Sequence, residues 1–140
     1  MNWKRIALGG LLAGVMMNVI DFLPYVLLGV SDRLMALQKA GVYLQTPRFP
    51  FMPLWIAGIF AMGFFVAWFY AVARPRLGAG PQTALMVGLA LGLMSQVPYN
   101  FSIASWGQQG KFLPFVWMCT GIVEIIVGTL VAGWVYKDEV

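Results

Sequence analysis

Four long apolar stretches dominate the chain, and each is long enough to cross a lipid bilayer as an α-helix. Such a helix needs about 20 mostly apolar residues. Only two charged residues interrupt the stretches, Asp21 in the first and Glu124 in the last. The predicted spans cover about residues 6–30, 51–73, 81–101 and 112–136. Because the apolar runs are long and do not alternate with polar residues, a β-barrel is disfavoured. The sequence therefore predicts an all-α fold, a four-transmembrane-helix bundle forming one transmembrane domain over residues 1–140.

The connection between the first two spans is the longest, and its first half has the pattern of a short helix. The segment 31–40 is amphipathic, so we expect a helix that lies on the membrane surface in the first outer loop. Ser31 or Asp32 is the expected N-cap, and Gly41 is the expected end. The proline-rich segment 46–50 then leads into the second span.

The placement of lysine and arginine predicts that both termini are cytoplasmic. This orientation puts five cationic residues inside and four outside. The compact Arg-Pro-Arg turn and the leading Lys-Arg pair decide it, because short flanking segments weigh most. We expect a multi-pass protein of the bacterial cytoplasmic (inner) membrane. The inner cationic residues, expected to anchor the helices at lipid headgroups, are Lys4, Arg5, Arg74, Arg76 and Lys137.

Composition supports lipid as the solvent and narrows the possible partners and cofactors. The chain is 61% hydrophobic and 10% charged, against about 45–50% and about 25% in soluble domains. The net charge of +4 is spread singly or in pairs at the ends of apolar runs, so no nucleic-acid partner is predicted. With no histidine and one cysteine, Cys119, the usual zinc site and histidine-ligated haem or chlorophyll are excluded. We expect no metal and no cofactor beyond bound lipid, and Cys119 is interpreted as a packing residue.

Three of the spans combine glycines and polar residues on one helix face. Glycines spaced by four let helix backbones approach closely in lipid. Polar residues on the same face should then point at neighbouring helices and away from lipid. The residues are Gly10, Gly14, Asn18 and Asp21 in the first span, Gly88, Gly92, Gln96 and Asn100 in the third, and Gly121, Glu124 and Gly128 in the fourth.

The polar residues within the spans form a predicted layer inside the membrane. At about 1.5 Å per residue, Asn18, Gln96 and Glu124 lie near the bilayer midplane, with Asp21 and Asn100 one or two turns further out. A carboxylate at the bilayer centre costs about 2.5–3.5 kcal/mol or more, and the spans contain no lysine or arginine. We therefore expect at least one of the two acids to be protonated at neutral pH, with Asn18 and Gln96 as hydrogen-bond partners.

Two prolines lie beside this layer, in its outer half. Pro24 and Pro98 each remove a backbone hydrogen bond within a helix. Local distortion at both positions fits a small polar cavity open to the outside. The alternative is that they are ordinary prolines of membrane helices, which tolerate them well.

The polar layer supports three interpretations. The first is that the side chains only hold the bundle or a subunit interface together. The second is that Asp21 and Glu124 carry protons or bind a cation or a polar ligand. The third, metal binding through oxygen ligands, ranks last because a hard cation needs more carboxylates or carbonyls.

The second span lacks strongly polar residues and is rich in aromatic ones, so we interpret it as an outer helix facing lipid. A surface for a partner subunit, a lipid tail or a pigment is the alternative.

Segments in all four spans carry a resemblance to known proteins. The segments are 18–22, 68–76, 78–84, 123–124 and 132–137. They resemble an uncharacterised family of small bacterial four-helix integral membrane proteins, and this resemblance implies the fold and no activity. The small multidrug transporters are a looser comparison, since they also have four short helices with an acid in the first. The long first loop and the second acid, in the last helix, depart from that pattern.

Three functions follow from these observations, in order of preference. The first is a non-enzymatic membrane subunit that packs through its glycine faces into a homo-oligomer or a larger complex, for example a respiratory or photosynthetic one. The second is a small proton-coupled transporter using Asp21 and Glu124. The third is a lipid-modifying membrane enzyme. The expected partners are membrane lipids and other membrane subunits or further copies of the chain.

Overall fold

Within residues 1–138 the fold consists of five α-helices, four of which are long and apolar enough to cross a membrane. The computed structural model describes residues 1–138. The long helices have 24 to 27 residues, or about 36–40 Å at 1.5 Å per residue, which exceeds a hydrocarbon core of about 30 Å. The predicted all-α class and its four long apolar helices are confirmed. The helices are α1 Trp3–Leu27, α2 Val30–Lys39, α3 Phe51–Leu77, α4 Pro81–Trp106 and α5 Phe112–Val135.

The junction between α1 and α2 differs from the prediction. The predicted first span runs to residue 30, whereas α1 ends at Leu27 and α2 begins at Val30. Gly29 separates the two helices with a left-handed φ of 64° and is the N-cap of α2, without any side-chain cap. The prediction that Ser31 or Asp32 caps this helix is therefore wrong. The apolar run continues through the turn, so hydropathy alone does not reveal the break.

The four long helices form a bundle whose packing is uneven. Helix α5 packs extensively against α4 and α1, and α1 also packs extensively against α3. Contacts between α3 and α4 are sparse by comparison. The closest approach joins α1 and α3 at Gly63, where an added Cβ would lie 2.5 Å from the carbonyl oxygen of Gly10 and 2.7 Å from the amide nitrogen of Gly14. Glycine is required here because the backbones themselves are in contact.

One end of the bundle is closed by contacts that join both chain termini to the α3–α4 turn. The backbone N–H of Asn2 donates to the Tyr136 hydroxyl over 3.2 Å, and the N–H of Gly80 donates to the Tyr70 hydroxyl over 3.1 Å. The rings of Tyr70 and Tyr136 meet edge to face. The first and last described residues therefore lie at the same end of the bundle.

The outer surface of the bundle is apolar along its length. Large side chains such as Val26 and Met94 are more than two-thirds exposed, which in water would make an extended patch of the kind soluble monomers avoid. Exposed tryptophans lie near both ends, Trp3 and Trp134 at one and Trp106 at the other. This arrangement is typical of the aromatic belts at membrane interfaces.

Candidate functional site

A cavity of about 490 Å³ lies in the half of the bundle remote from the chain termini. All four long helices line it, including α3 and α4, which pack sparsely against each other. The first turns of α3 and the later turns of α4 supply most of its apolar wall. We call it the polar cavity after the carboxyl, amide and tyrosine side chains in its lining, which are Asp21, Tyr25, Gln96, Tyr99, Asn100 and Glu124.

Glu124 is the most deeply buried ionisable group of the cavity. Its residue is 4% exposed, and its Oε2 atom has no hydrogen-bond partner among residues 1–138. One turn earlier on α5, Gly121 leaves room for the Gln96 side chain, whose Cδ and Oε1 lie 2.5 Å from where a Cβ would stand. A buried polar atom without a partner costs about 1–3 kcal/mol, so the burial of this oxygen is a net cost to the fold.

Asp21 has a partner that the sequence interpretation missed. The indole N–H of Trp55 donates to Oδ2 of Asp21 over 2.8 Å, which ties the last turns of α1 to the first turns of α3. The prediction that the second span simply faces lipid is wrong at Tyr70, which is 1% exposed, whereas Trp55 is 45% exposed and contacts α1 through its indole N–H. The sequence feature that could have predicted this bond is the indole N–H itself, because a tryptophan N–H that is removed from water usually bonds to an acceptor.

The two amides on α4 bond to each other and not to the acids. Asn100, which is buried, donates to the backbone carbonyl of Gln96 over 2.9 Å and to its Oε1 over 3.3 Å. Gln96 in turn reaches Ser95 over 3.5 Å. The expectation that Gln96 bonds to one of the acids is therefore wrong in this structure, although its side chain does line the same cavity.

Asn18 does not belong to the polar cavity. Its side-chain N–H donates to the carbonyl of Gly14 over 2.8 Å, while its Oδ1 is buried without a partner among residues 1–138. It lines a separate shallow groove with Val19 and Phe22. Asp21 follows Asn18 by three positions, and at 3.6 residues per turn the two differ by about 60° around α1. The prediction that Asn18 bonds to the acids is wrong, because its side-chain N–H is used by the Gly14 carbonyl.

The six glycines singled out in the sequence all lie against neighbouring parts of the same chain. An added Cβ at any of them would meet an atom within 3.3 Å. The glycine faces are thus already occupied inside the fold. The contacts pair Gly10 with Phe64, Gly14 with Phe60, Gly88 with Ile126, Gly92 with Ile122, Gly121 with Gln96, and Gly128 with Met17.

Of the five cationic residues expected at headgroups, Arg74 is held by the protein. Its Nη1 lies 2.9 Å from Oδ2 of Asp138, without the alignment of a hydrogen bond, and its guanidinium stacks over the Tyr136 ring at 5.3 Å. Its side chain is 18% exposed. The others are exposed or half-buried: Lys4, Arg5, Arg76 and Lys137.

The described part of the chain offers little for a metal ion. Among residues 1–138, no group of three or more histidine, cysteine or acidic side chains is placed to hold one. Cys119 is exposed on α5, so its interpretation as a packing residue is wrong for contacts within the described chain.

Comparison with known proteins leaves the family open. No protein-family model, curated protein or solved structure matches the chain. Its similarity to small bacterial four-helix membrane proteins therefore stays a prediction from the segments quoted above.

Proposed function

We propose that this chain is a small multi-pass membrane carrier that binds and releases a proton at Glu124 and Asp21, in a cavity reached from one side of the membrane. With the termini in the cytoplasm, as the lysine and arginine placement predicts, the cavity faces the outside. The proposal places the chain in a bacterial cytoplasmic membrane.

The observation that carries the proposal is the state of Glu124. Its carboxyl group is buried in a cavity whose lining contains no lysine or arginine, and one of its oxygens has no partner within residues 1–138. An unsatisfied buried atom is a net cost to the fold, so stabilising the bundle does not by itself account for this carboxyl group. Uncompensated acids inside membranes mark proton and ion pathways.

The packing of the glycines favours a carrier over a subunit. The subunit hypothesis relies on glycine faces that dock against another chain. In this fold Gly10 and Gly14 face α3, and Gly88 and Gly92 face α5. A partner subunit would need a different surface, and the carrier hypothesis needs none.

The proposal is tested by titrating the carboxyl groups in reconstituted vesicles. Infrared spectra recorded across a pH series should contain the carbonyl stretching band of a protonated carboxyl group at neutral pH. We expect Glu124→Gln to remove that band, because glutamine keeps the size and removes the proton-carrying group. Asp32→Asn is the matched control, since Asp32 is an exposed acid on α2 outside the cavity.

A flux measurement completes the test. Vesicles containing the protein and an internal pH-sensitive dye are given a membrane potential that draws protons inward. Acidification should exceed that of protein-free vesicles and fall to their level in Glu124→Gln and Asp21→Asn. Spectra without a protonated carboxyl band, together with acidification equal to protein-free vesicles, would refute the proposal.

A further inference from the structure

The lining of the polar cavity combines carboxyl groups with aromatic faces. Besides Asp21 and Glu124, it contains two tryptophans, Trp55 and Trp117, and the ring of Phe51. Aromatic faces attract cations, most strongly where both are removed from water. Since no lysine or arginine lines the cavity, a bound cation would have the acids as its only counter-charges within the described chain.

The apolar wall and the size of the cavity indicate what kind of cation fits. Leu54, Ile59 and Met62 contribute aliphatic surface, which suits organic groups and offers no ligands to a hydrated metal ion. Its volume of about 490 Å³ lies within the range of about 300–1,000 Å³ typical of small-molecule sites. A bare metal ion would leave most of this space empty.

The rim of the cavity suggests the route of entry. Tyr99 is 66% exposed and Leu54 is 59% exposed, and both lie where α3 and α4 pack sparsely. In a membrane this opening meets the acyl chains or the outer headgroup region. A ligand that partitions into lipid would therefore reach the carboxyl groups without crossing the closed end of the bundle.

We propose that the polar cavity binds a lipophilic organic monocation, with Glu124 as its counter-ion and the Trp55 and Trp117 rings against its apolar groups. Oδ2 of Asp21 already accepts the Trp55 N–H, whereas Oε2 of Glu124 has no partner within residues 1–138. Both acids line the cavity, and Glu124 is the one whose carboxyl group is less engaged by the fold. The inference rests on the proposed function in one respect, which is that Glu124 holds an exchangeable proton.

The binding step exchanges one cation for another. The carboxylic acid of Glu124 gives its proton to water at the cavity mouth, and the resulting carboxylate pairs with the organic cation. No bond other than the O–H bond is broken. The other titratable groups in the lining are Asp21 and Tyr25 on α1 and Tyr99 on α4, while α3 contributes none. Binding should therefore tighten as the pH rises through the titration of Glu124.

The experiment uses a pair of probes that differ in the sign of their charge. Tetraphenylphosphonium and tetraphenylborate have nearly the same size and shape, so the difference between them isolates electrostatic recognition. Binding to the purified protein is followed by calorimetry, and proton release by a pH indicator in weakly buffered solution. We expect tetraphenylphosphonium to bind with stoichiometric proton release, and tetraphenylborate to bind at least about tenfold more weakly.

Variants assign the effect to named side chains. Glu124→Gln should weaken tetraphenylphosphonium binding by about tenfold or more and abolish proton release. Trp55→Leu should weaken it several-fold, whereas Trp55→Phe, which keeps an aromatic face, should retain most of the affinity. Each variant is first checked for native helicity and a monodisperse elution profile.

The outcomes separate this inference from the proposed function. Equal binding of the two probes, or binding unchanged in both Glu124→Gln and Trp55→Leu, would overturn the cation site. If the protonated carboxyl band is present but tetraphenylphosphonium does not bind, the ligand class is wrong and proton binding stands.

The amine headgroup of a lipid is also an organic cation attached to apolar groups. Competition by short-chain phosphatidylethanolamine would assign the site to a lipid headgroup, and its failure to compete would assign the site to a free cation.

Discussion

Replacing Glu124 with methionine should make the protein more stable. Methionine is unbranched, of similar length and fully apolar, and it adapts well to irregular spaces. The change removes a buried Oε2 atom that has no hydrogen-bond partner among residues 1–138. Such an atom costs about 1–3 kcal/mol, so we expect the free energy of unfolding to rise by about 1–3 kcal/mol.

The sign of this change separates two roles for Glu124. If the residue held the bundle together, its loss would remove a hydrogen bond and leave a partner unsatisfied, which costs about 1–3 kcal/mol. If it is kept for proton or cation binding, its removal stabilises the fold and abolishes activity. Such a trade is typical of functional sites.

The assay is reversible unfolding in mixed micelles by titration with sodium dodecyl sulfate, followed by far-ultraviolet circular dichroism. Asn100→Leu is the matched control, because Asn100 lines the same cavity and is equally buried but donates to Gln96. It should lower the free energy of unfolding by about 0.5–1.5 kcal/mol. A lower stability for Glu124→Met than for the unaltered chain would refute the reasoning.

Three further predictions concern packing, the closed end and orientation. Gly63→Ala should destabilise the bundle by about 1–3 kcal/mol in the same assay, because its Cβ would meet the α1 backbone. The control Gly58→Ala should not, because the space around Gly58 is open. Similar losses of stability in the two variants would disprove the close contact. Asp138→Asn should change the free energy of unfolding by less than about 1 kcal/mol, because the Arg74–Asp138 ion pair is exposed on the Asp138 side. A larger loss of stability in the same assay would show that this ion pair does hold the end of the bundle closed. In intact cells, with Cys119 replaced by serine, an impermeant maleimide should label Ser31→Cys but not Ala79→Cys. The reverse pattern would invert the predicted orientation.

The sequence alone determined the four long helices, apart from the end of the first, and the presence of two acids within them. Segments of about 20 apolar residues leave few options in lipid, because every backbone polar group must be satisfied within the segment. This constraint is local, so it is readable without tertiary information. It also marks Asp21 and Glu124, since a charge inside an apolar run stands out at any position.

Tertiary structure decided which side chains meet. A spacing of four residues advances about 40° beyond a full turn at 3.6 residues per turn, so Gly10, Gly14 and Asn18 drift around α1, and Asn18 ends outside the cavity. The Trp55–Asp21 bond depends on how α1 and α3 are rotated against each other, which the close contact at Gly63 sets. Periodicity defines the face of a helix, whereas the neighbour that covers that face is fixed only when all the helices pack together.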